Sequence, residues 1–210
     1  QPQVWFNPEA SSRHYLVPGS IAIILTMIGA LLTALVIARE WERGTMEALL
    51  ATPIEIPELL VGKLVPYFLL GMGSMALSVA TAVLLFGVPF RGSFALLTLV
   101  SAVFLLAVLG QGLLISTVTR NQLVASQVSI LSAFLPAFYF SNFVFEIDSM
   151  PWALQLISYA VPARYFVSTL QTLFLAGDIW SVILPDLLGL AAIATGFFTL
   201  TAITTRRRLE

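Results

Sequence analysis

Residues 17–38, 64–86, 94–118 and 123–145 each run without one charged side chain, and residues 185–205 carry only Asp186, near their start. At about 1.5 Å of rise per residue, each of these stretches is long enough to cross a hydrocarbon core of ~30 Å as a helix. Polar and charged positions collect in the gaps. The pattern predicts five transmembrane helices, the first opened by Pro18-Gly19-Ser20, the fourth kinked at Pro136, and the last begun by Pro185 and Asp186. A proline and a carboxylate both suit a helix N-terminus. The fold class is therefore all-α and polytopic.

Residues 150–175 are apolar enough to suggest a sixth crossing, but they contain Pro151, Pro162, Arg164, Gln155 and Gln171. Charge placement decides against it. With five spans and the C-terminus inside, Arg39, Arg43, Lys63, Arg120, Arg206, Arg207 and Arg208 are cytoplasmic, and only Arg13, Arg91 and Arg164 lie outside. Seven basic residues inside against three outside obeys the positive-inside rule. A sixth crossing would move the terminal Arg triplet outside. Residues 146–178 then form an outer interfacial or re-entrant helical segment.

Composition sharpens this. Apolar residues make up 59% of the chain, charged residues 10%, and mean hydropathy is +0.96. A soluble domain carries about 25% charged residues, so lipid is the solvent here and membrane lipids are the first partner. A net charge of −1 with no basic run beyond the membrane-flanking triplet argues against nucleic acid. The absence of cysteine excludes disulfides and thiol chemistry. A single histidine, His14, excludes metal sites that need two imidazoles, and its place is on a surface stem. Residues 1–16 are polar, lack the build of a signal peptide, and read as the end of an extracytoplasmic region. With the N-terminus outside and no initiator Met, at least one preceding span is expected to be missing.

Two extramembrane features are large enough to act. The cytoplasmic stretch from Arg39 to Lys63 opens with Arg39, Glu40, Glu42, Arg43 and Glu47, which on a helix place opposite charges three or four residues apart. Trp41, Met46, Leu49 and Leu50 supply an apolar side. This predicts an amphipathic connector helix at the inner surface, broken by Thr52-Pro53, with Pro57-Glu58 opening the next helix. Its other reading is a charged loop. A short, stiff, charge-paired elbow is suited to docking a soluble partner. On the outer side Glu146, Asp148 and Arg164 gather around residues 146–178, either as an exit gate for amphipathic or lipid-like cargo or as ordinary interfacial polarity. Small residues recur at Ala30, Ala34 and Ala38 and at Ser74, Ser78 and Ala82, spacing that lets helices approach closely within one subunit or at a seam between two. Gln111, Gln127 and Asn142 suit interhelical hydrogen bonds or a substrate path.

The run Ala38-Arg39-Glu40-Trp41-Glu42-Arg43-Gly44-Thr45-Met46-Glu47, followed by Leu49-Leu50-Ala51-Thr52-Pro53 and Glu58-Leu59-Leu60-Val61-Gly62-Lys63, resembles ABC-2 type transporter permeases. So does the outer segment, in Met150-Pro151-x-x-Leu154-Gln155 and Pro162-x-Arg164-Tyr165-Phe166. Asn7-Pro8 and Pro18-Gly19 fit the entry to that family's second span. The resemblance covers essentially the whole chain, with residues 17–210 as the transmembrane domain. The chain departs from the family at Asn142 and Glu146, where a small residue and a proline commonly stand.

The resemblance implies the permease subunit of an ATP-binding cassette exporter in a bacterial inner membrane. It implies two permease subunits, identical or not, and separate ATPase subunits that hold ATP and Mg²⁺. Gly62-Lys63 lacks the glycine spacing of a phosphate-binding loop, so no nucleotide cofactor and no enzyme activity is expected of this chain itself. By the same resemblance, Arg39, Glu40, Glu42, Arg43, Gly44, Thr45 and Glu47 would couple to the ATPase. Glu146, Asp148, Met150, Pro151, Gln155, Pro162, Arg164 and Tyr165 would form the outer gate. A secondary transporter or channel would need an intramembrane charge pair or a broken helix pair. A membrane enzyme would need clustered acids, bases or metal ligands; neither pattern is visible.

Overall fold

The computed structural model describes residues 12–45 and 56–207. Seven α-helices are described: α1 (Ser12–Glu42), α2 (Ile56–Leu84), α3 (Phe94–Thr119), α4 (Gln122–Tyr139), α5 (Trp152–Ser158), α6 (Pro162–Leu175) and α7 (Trp180–Arg207). No strand occurs among the described residues. Helices α1, α2, α3, α4 and α7 are each long and apolar enough to cross a membrane. Short turns make α2, α3 and α4 successive antiparallel neighbours.

Helices α1 and α3 form the centre. In their most apolar windows 67% and 61% of residues are buried, against 17% in α2, 22% in α4 and 17% in α7. The reason lies in residue size. Ala30, Ala34 and Ala38 on α1 are fully buried, and a Cβ added at Gly112 of α3 would collide with Thr33 Oγ1 and the Ala30 carbonyl oxygen. The α1 stripe of small residues thus packs within the chain, where close backbone approach replaces the hydrophobic driving force that lipid cannot supply. On α2, by contrast, Ser74 stays exposed while Ala82 is buried. Ser116 of α3 accepts hydrogen bonds from the backbone N–H of Ile37 and Ala38 at 2.9 and 2.8 Å. Buried Thr26, Thr33, Thr117, Thr201 and Thr205 satisfy their hydroxyls on carbonyls one turn back, as threonine does inside apolar helices.

Three boundaries differ from expectation, and the kink expected at Pro136 takes a particular form. Helix α1 starts at Ser12, so Pro18-Gly19 lies inside the helix and residues 12–16 continue the span. Gly19 is needed there because a Cβ would strike the Phe143 ring. Helix α4 ends at Tyr139, short of 145. The chain turns at Asn142, whose φ of 64° is a left-handed conformation asparagine tolerates. Its side chain accepts from Ile147 N at 3.2 Å, and its carbonyl accepts from the Tyr15 hydroxyl at 2.7 Å. The disturbance at Pro136 takes the form of a π-turn at Ile130–Phe134. Proline offers no N–H to the Ser132 carbonyl four residues back, and Gln111 Nε2 on α3 donates to that oxygen at 3.0 Å. Helix α7 begins at Trp180, so Asp186 sits in its second turn and is not a helix-start carboxylate. It accepts from Thr169 Oγ1 of α6 at 3.2 Å.

Helix α6 is re-entrant. Phe166, near its start, stacks on Phe104 of α3 with ring centroids 3.8 Å apart, and Phe104 lies about 15 Å along α3 from Phe94 at 1.5 Å per residue. At the other end, the Leu173 carbonyl accepts from Arg91 N and Gly92 N in the α2–α3 turn at 3.3 and 2.8 Å. The helix therefore climbs from mid-bundle to one end, with Phe166, Val167, Leu170, Leu173 and Phe174 fully buried.

Candidate functional site

Polar chemistry concentrates at the two ends. At one, α1 runs unbroken through Arg39 and Glu40 to Glu42, then turns at Gly44, where φ is +70°. The connector read as starting at Arg39 is corrected on this point: its first residues are the last turn of α1, because α-helical geometry extends until a residue free of Cβ permits the turn. Glu47 lies outside the described residues.

Among the described residues the hydrogen-bonding and ion-pair partners of Arg39, Glu40 and Glu42 come largely from other helices, a second correction. Glu40 bridges Lys63 of α2 at 2.5 Å and also accepts from the Thr45 hydroxyl. Glu42 accepts from the backbone N–H and side-chain amide of Gln122 at 2.8 and 2.5 Å. Arg39 Nε donates to Gln122 Oε1 at 3.4 Å. The Arg120 guanidinium lies 3.9 Å above the Trp41 ring, a cation–π contact. Arg43 adds a longer-range attraction to Glu40. The end of α1 is thereby tied to α2 and to the α3–α4 turn. Lys63, Arg120 and Gln122 are the partners sequence spacing alone missed, since each comes from a different helix or turn.

In the other half of the bundle, down to the mid-bundle start of α6, the motif residues 150–165 bond to one another. Gln155 Nε2 donates to the Met150 carbonyl at 2.9 Å, and the Tyr165 hydroxyl donates to the Tyr159 carbonyl at 2.9 Å. Arg164 donates to Ser158 Oγ and to the Gln155 carbonyl, and lies 3.9 Å over the Tyr159 ring. Pro151 and Pro162 open α5 and α6. The spacing of this motif is that of a hairpin lock, its polar side chains capping backbone groups that helix ends leave free. Glu146 and Asp148 are exposed, and Arg164 forms an ion pair with neither; the expected acid–base cluster is not assembled. Arg164 points instead into the α5–α6 hinge. Asp186, read from the sequence as a helix-start carboxylate, belongs beside this motif: on α7 it meets α6 at Thr169, one turn from Gly189, where a Cβ would lie 2.5 Å from the Tyr165 ring.

Residues 1–203 match the profile of a family described as ABC-2 family transporter protein. The chain is 55% identical, over its whole length, to an Escherichia coli (strain K12) protein named "Probable multidrug ABC transporter permease YbhS", of which it covers 56%. It is 30% identical over 171 residues to that organism's "Probable multidrug ABC transporter permease YbhR", covering 81% of this chain and 46% of the relative. It is 31% identical over 210 residues to the "Inner membrane transport permease YhhJ", covering 97% and 54%. The chain spans about half the length of these relatives.

Proposed function

The chain belongs to the ABC-2 family of transporter proteins, and from that membership we propose that it serves as the permease subunit of an ATP-driven exporter. ATP and Mg²⁺ are held by a separate cassette subunit. A second permease subunit, identical or related, completes the pathway across a bacterial inner membrane. The positive-inside rule sets the end bearing Arg39, Lys63 and Arg120 in the cytoplasm, the N-terminal end of this chain outside and its C-terminus inside.

The observation that carries this reading is the cross-helix network at the end of α1. A force applied by a cassette subunit around Arg39, Glu40, Glu42, Arg43, Gly44, Thr45 and Glu47 passes through Glu40–Lys63 to α2 and through Glu42–Gln122 to the α3–α4 turn. Three crossings then respond to one push. In the far half of the bundle the lock of Met150, Pro151, Gln155, Pro162, Arg164 and Tyr165, with exposed Glu146 and Asp148, forms the outer gate. The multidrug label of the YbhS and YbhR relatives makes chemically varied apolar compounds the first cargo to test.

The test is reconstitution of the full-length permease with its cassette subunit in lipid nanodiscs. Charge reversal at Glu42, Arg43 and Glu47 together should abolish permease-stimulated ATP hydrolysis while membrane insertion persists. Wild-type stimulation in that variant sinks the coupling assignment.

A further inference from the structure

Helix α6 buries its apolar side and leaves its polar side half open, the reverse of a helix bathed in lipid. The half-buried positions are Arg164, Tyr165, Ser168, Gln171 and Thr172, which helical spacing gathers into one stripe. The stripe leads from Arg164, deeper than Phe166 at mid-bundle, to the α2–α3 turn, where exposed Asp178 accepts from Ser93 N at 2.7 Å. Beside it on α7 stands half-buried Asp186, about 9 Å along that helix from Trp180 at 1.5 Å per residue.

Three observations exclude lipid along this stripe. Ionisable groups at membrane depth face a bundle interior or water, and here they are half open. Arg164 is bonded to the Ser158 hydroxyl and the Gln155 carbonyl, and Asp186 to the hydroxyls of Thr169 and Ser168. Neither forms an ion pair among the described residues, so in a dry setting each charge would bear the cost of leaving water. At the deep end the α5–α6 turn leaves non-helical Tyr159 and Ala160 in the open, Tyr159 at 56% exposure. Non-helical backbone at this depth is tolerated only under protein or beside water. A second chain laid on the stripe would have to match both charges, whereas water needs no such match.

We infer that a water-filled crevice runs along the polar face of α6 beside α7, from the outer surface to Arg164 at mid-bundle depth. It offers the polar parts of a cargo a wet route of exit within each subunit. Calling its mouth the outer one rests on the orientation proposed above, whereas the crevice itself does not.

The 210 residues contain no cysteine, so single cysteines can be placed in the full-length permease once any others in it are changed to serine. The probe is a methanethiosulfonate carrying a quaternary ammonium, applied in lipid nanodiscs, which leave both faces open. Leu188→Cys, at a lipid-facing position of α7 that is 62% exposed, is the reference. Ala160→Cys and Ser168→Cys should react about tenfold faster or more, because the thiolate that reacts forms only in water. A plug, Ser168→Trp or Gln171→Trp, whichever keeps the wild-type melting temperature, should slow Ala160→Cys severalfold. Rates at Ala160→Cys and Ser168→Cys no faster than at Leu188→Cys would overturn the crevice in favour of lipid or dry contact. Undiminished reaction of Ala160→Cys behind the plug would overturn the continuous route. A disulfide between two copies through Ala160→Cys, with the probe excluded, would overturn it by placing a second chain there. No ATP is used, so failure leaves the proposed export untouched.

Discussion

Replacing Gln111 by leucine removes the amide that donates to the Ser132 carbonyl at 3.0 Å, and Pro136 lacks the N–H that an α-helix would offer there. Ser132 is exposed on the face a membrane would cover. A carbonyl left unmet in lipid loses on the order of the 1–3 kcal/mol of an unmet buried group, while interhelical hydrogen bonds in membranes average ~0.6 kcal/mol because the unfolded state also finds partners. Gln111 Oε1 is itself buried without a partner, so its removal offsets part of the loss. The net expectation is a destabilisation of about 1 kcal/mol. In a Pro136→Ala background the restored N–H can serve Ser132, and Gln111→Leu should then cost close to nothing. The assay is a double-mutant cycle on the purified protein by reversible unfolding in mixed micelles. A coupling of about 1 kcal/mol is a fivefold change in the folding equilibrium, well above the ~0.3–0.5 kcal/mol of additivity error. Equal costs in both backgrounds would refute the idea that Gln111 serves the carbonyl that Pro136 frees.

Other outcomes follow from the same geometry. Gly112→Ala should destabilise by about 1–3 kcal/mol through overpacking at the α1–α3 crossing, while Gly73→Ala, where nothing lies within 4 Å of the added Cβ, should leave the melting temperature unchanged. Exchanging Glu40 and Lys63 by Glu40→Lys with Lys63→Glu should restore the stability and ATPase stimulation that either single reversal lowers; failure of the double variant to recover would separate the pair from coupling. Arg164→Lys should not rescue Arg164→Ala in a transport assay, because an ammonium lacks the planar fork that spans Ser158, the Gln155 carbonyl and the Tyr159 ring. Full rescue would mean that charge alone matters there.

Hydropathy and charge placement were enough for the five crossings among the described residues and for the helical segment between the last two of them. Each depends on one residue's preference for lipid or water, which does not require knowing its neighbour. Two motif stretches likewise carried the family. What spacing along one helix misassigned was pairing. Glu42 was matched with Arg39 by their separation of three, yet its partner is Gln122, because the side chain of a terminal turn points at whichever helix stands beside it. Asp186 looked like a helix start because Pro185 precedes it, but the helix had already begun at Trp180 and Pro185 lies inside it, in the second turn. Only the tertiary structure decided that α1 and α3 hold the centre, that α6 climbs inside the bundle, and that Gln111 answers Pro136. Those outcomes depend on contacts between residues far apart in the chain, where a methyl group at Gly112 or a missing N–H at Pro136 selects one arrangement over another.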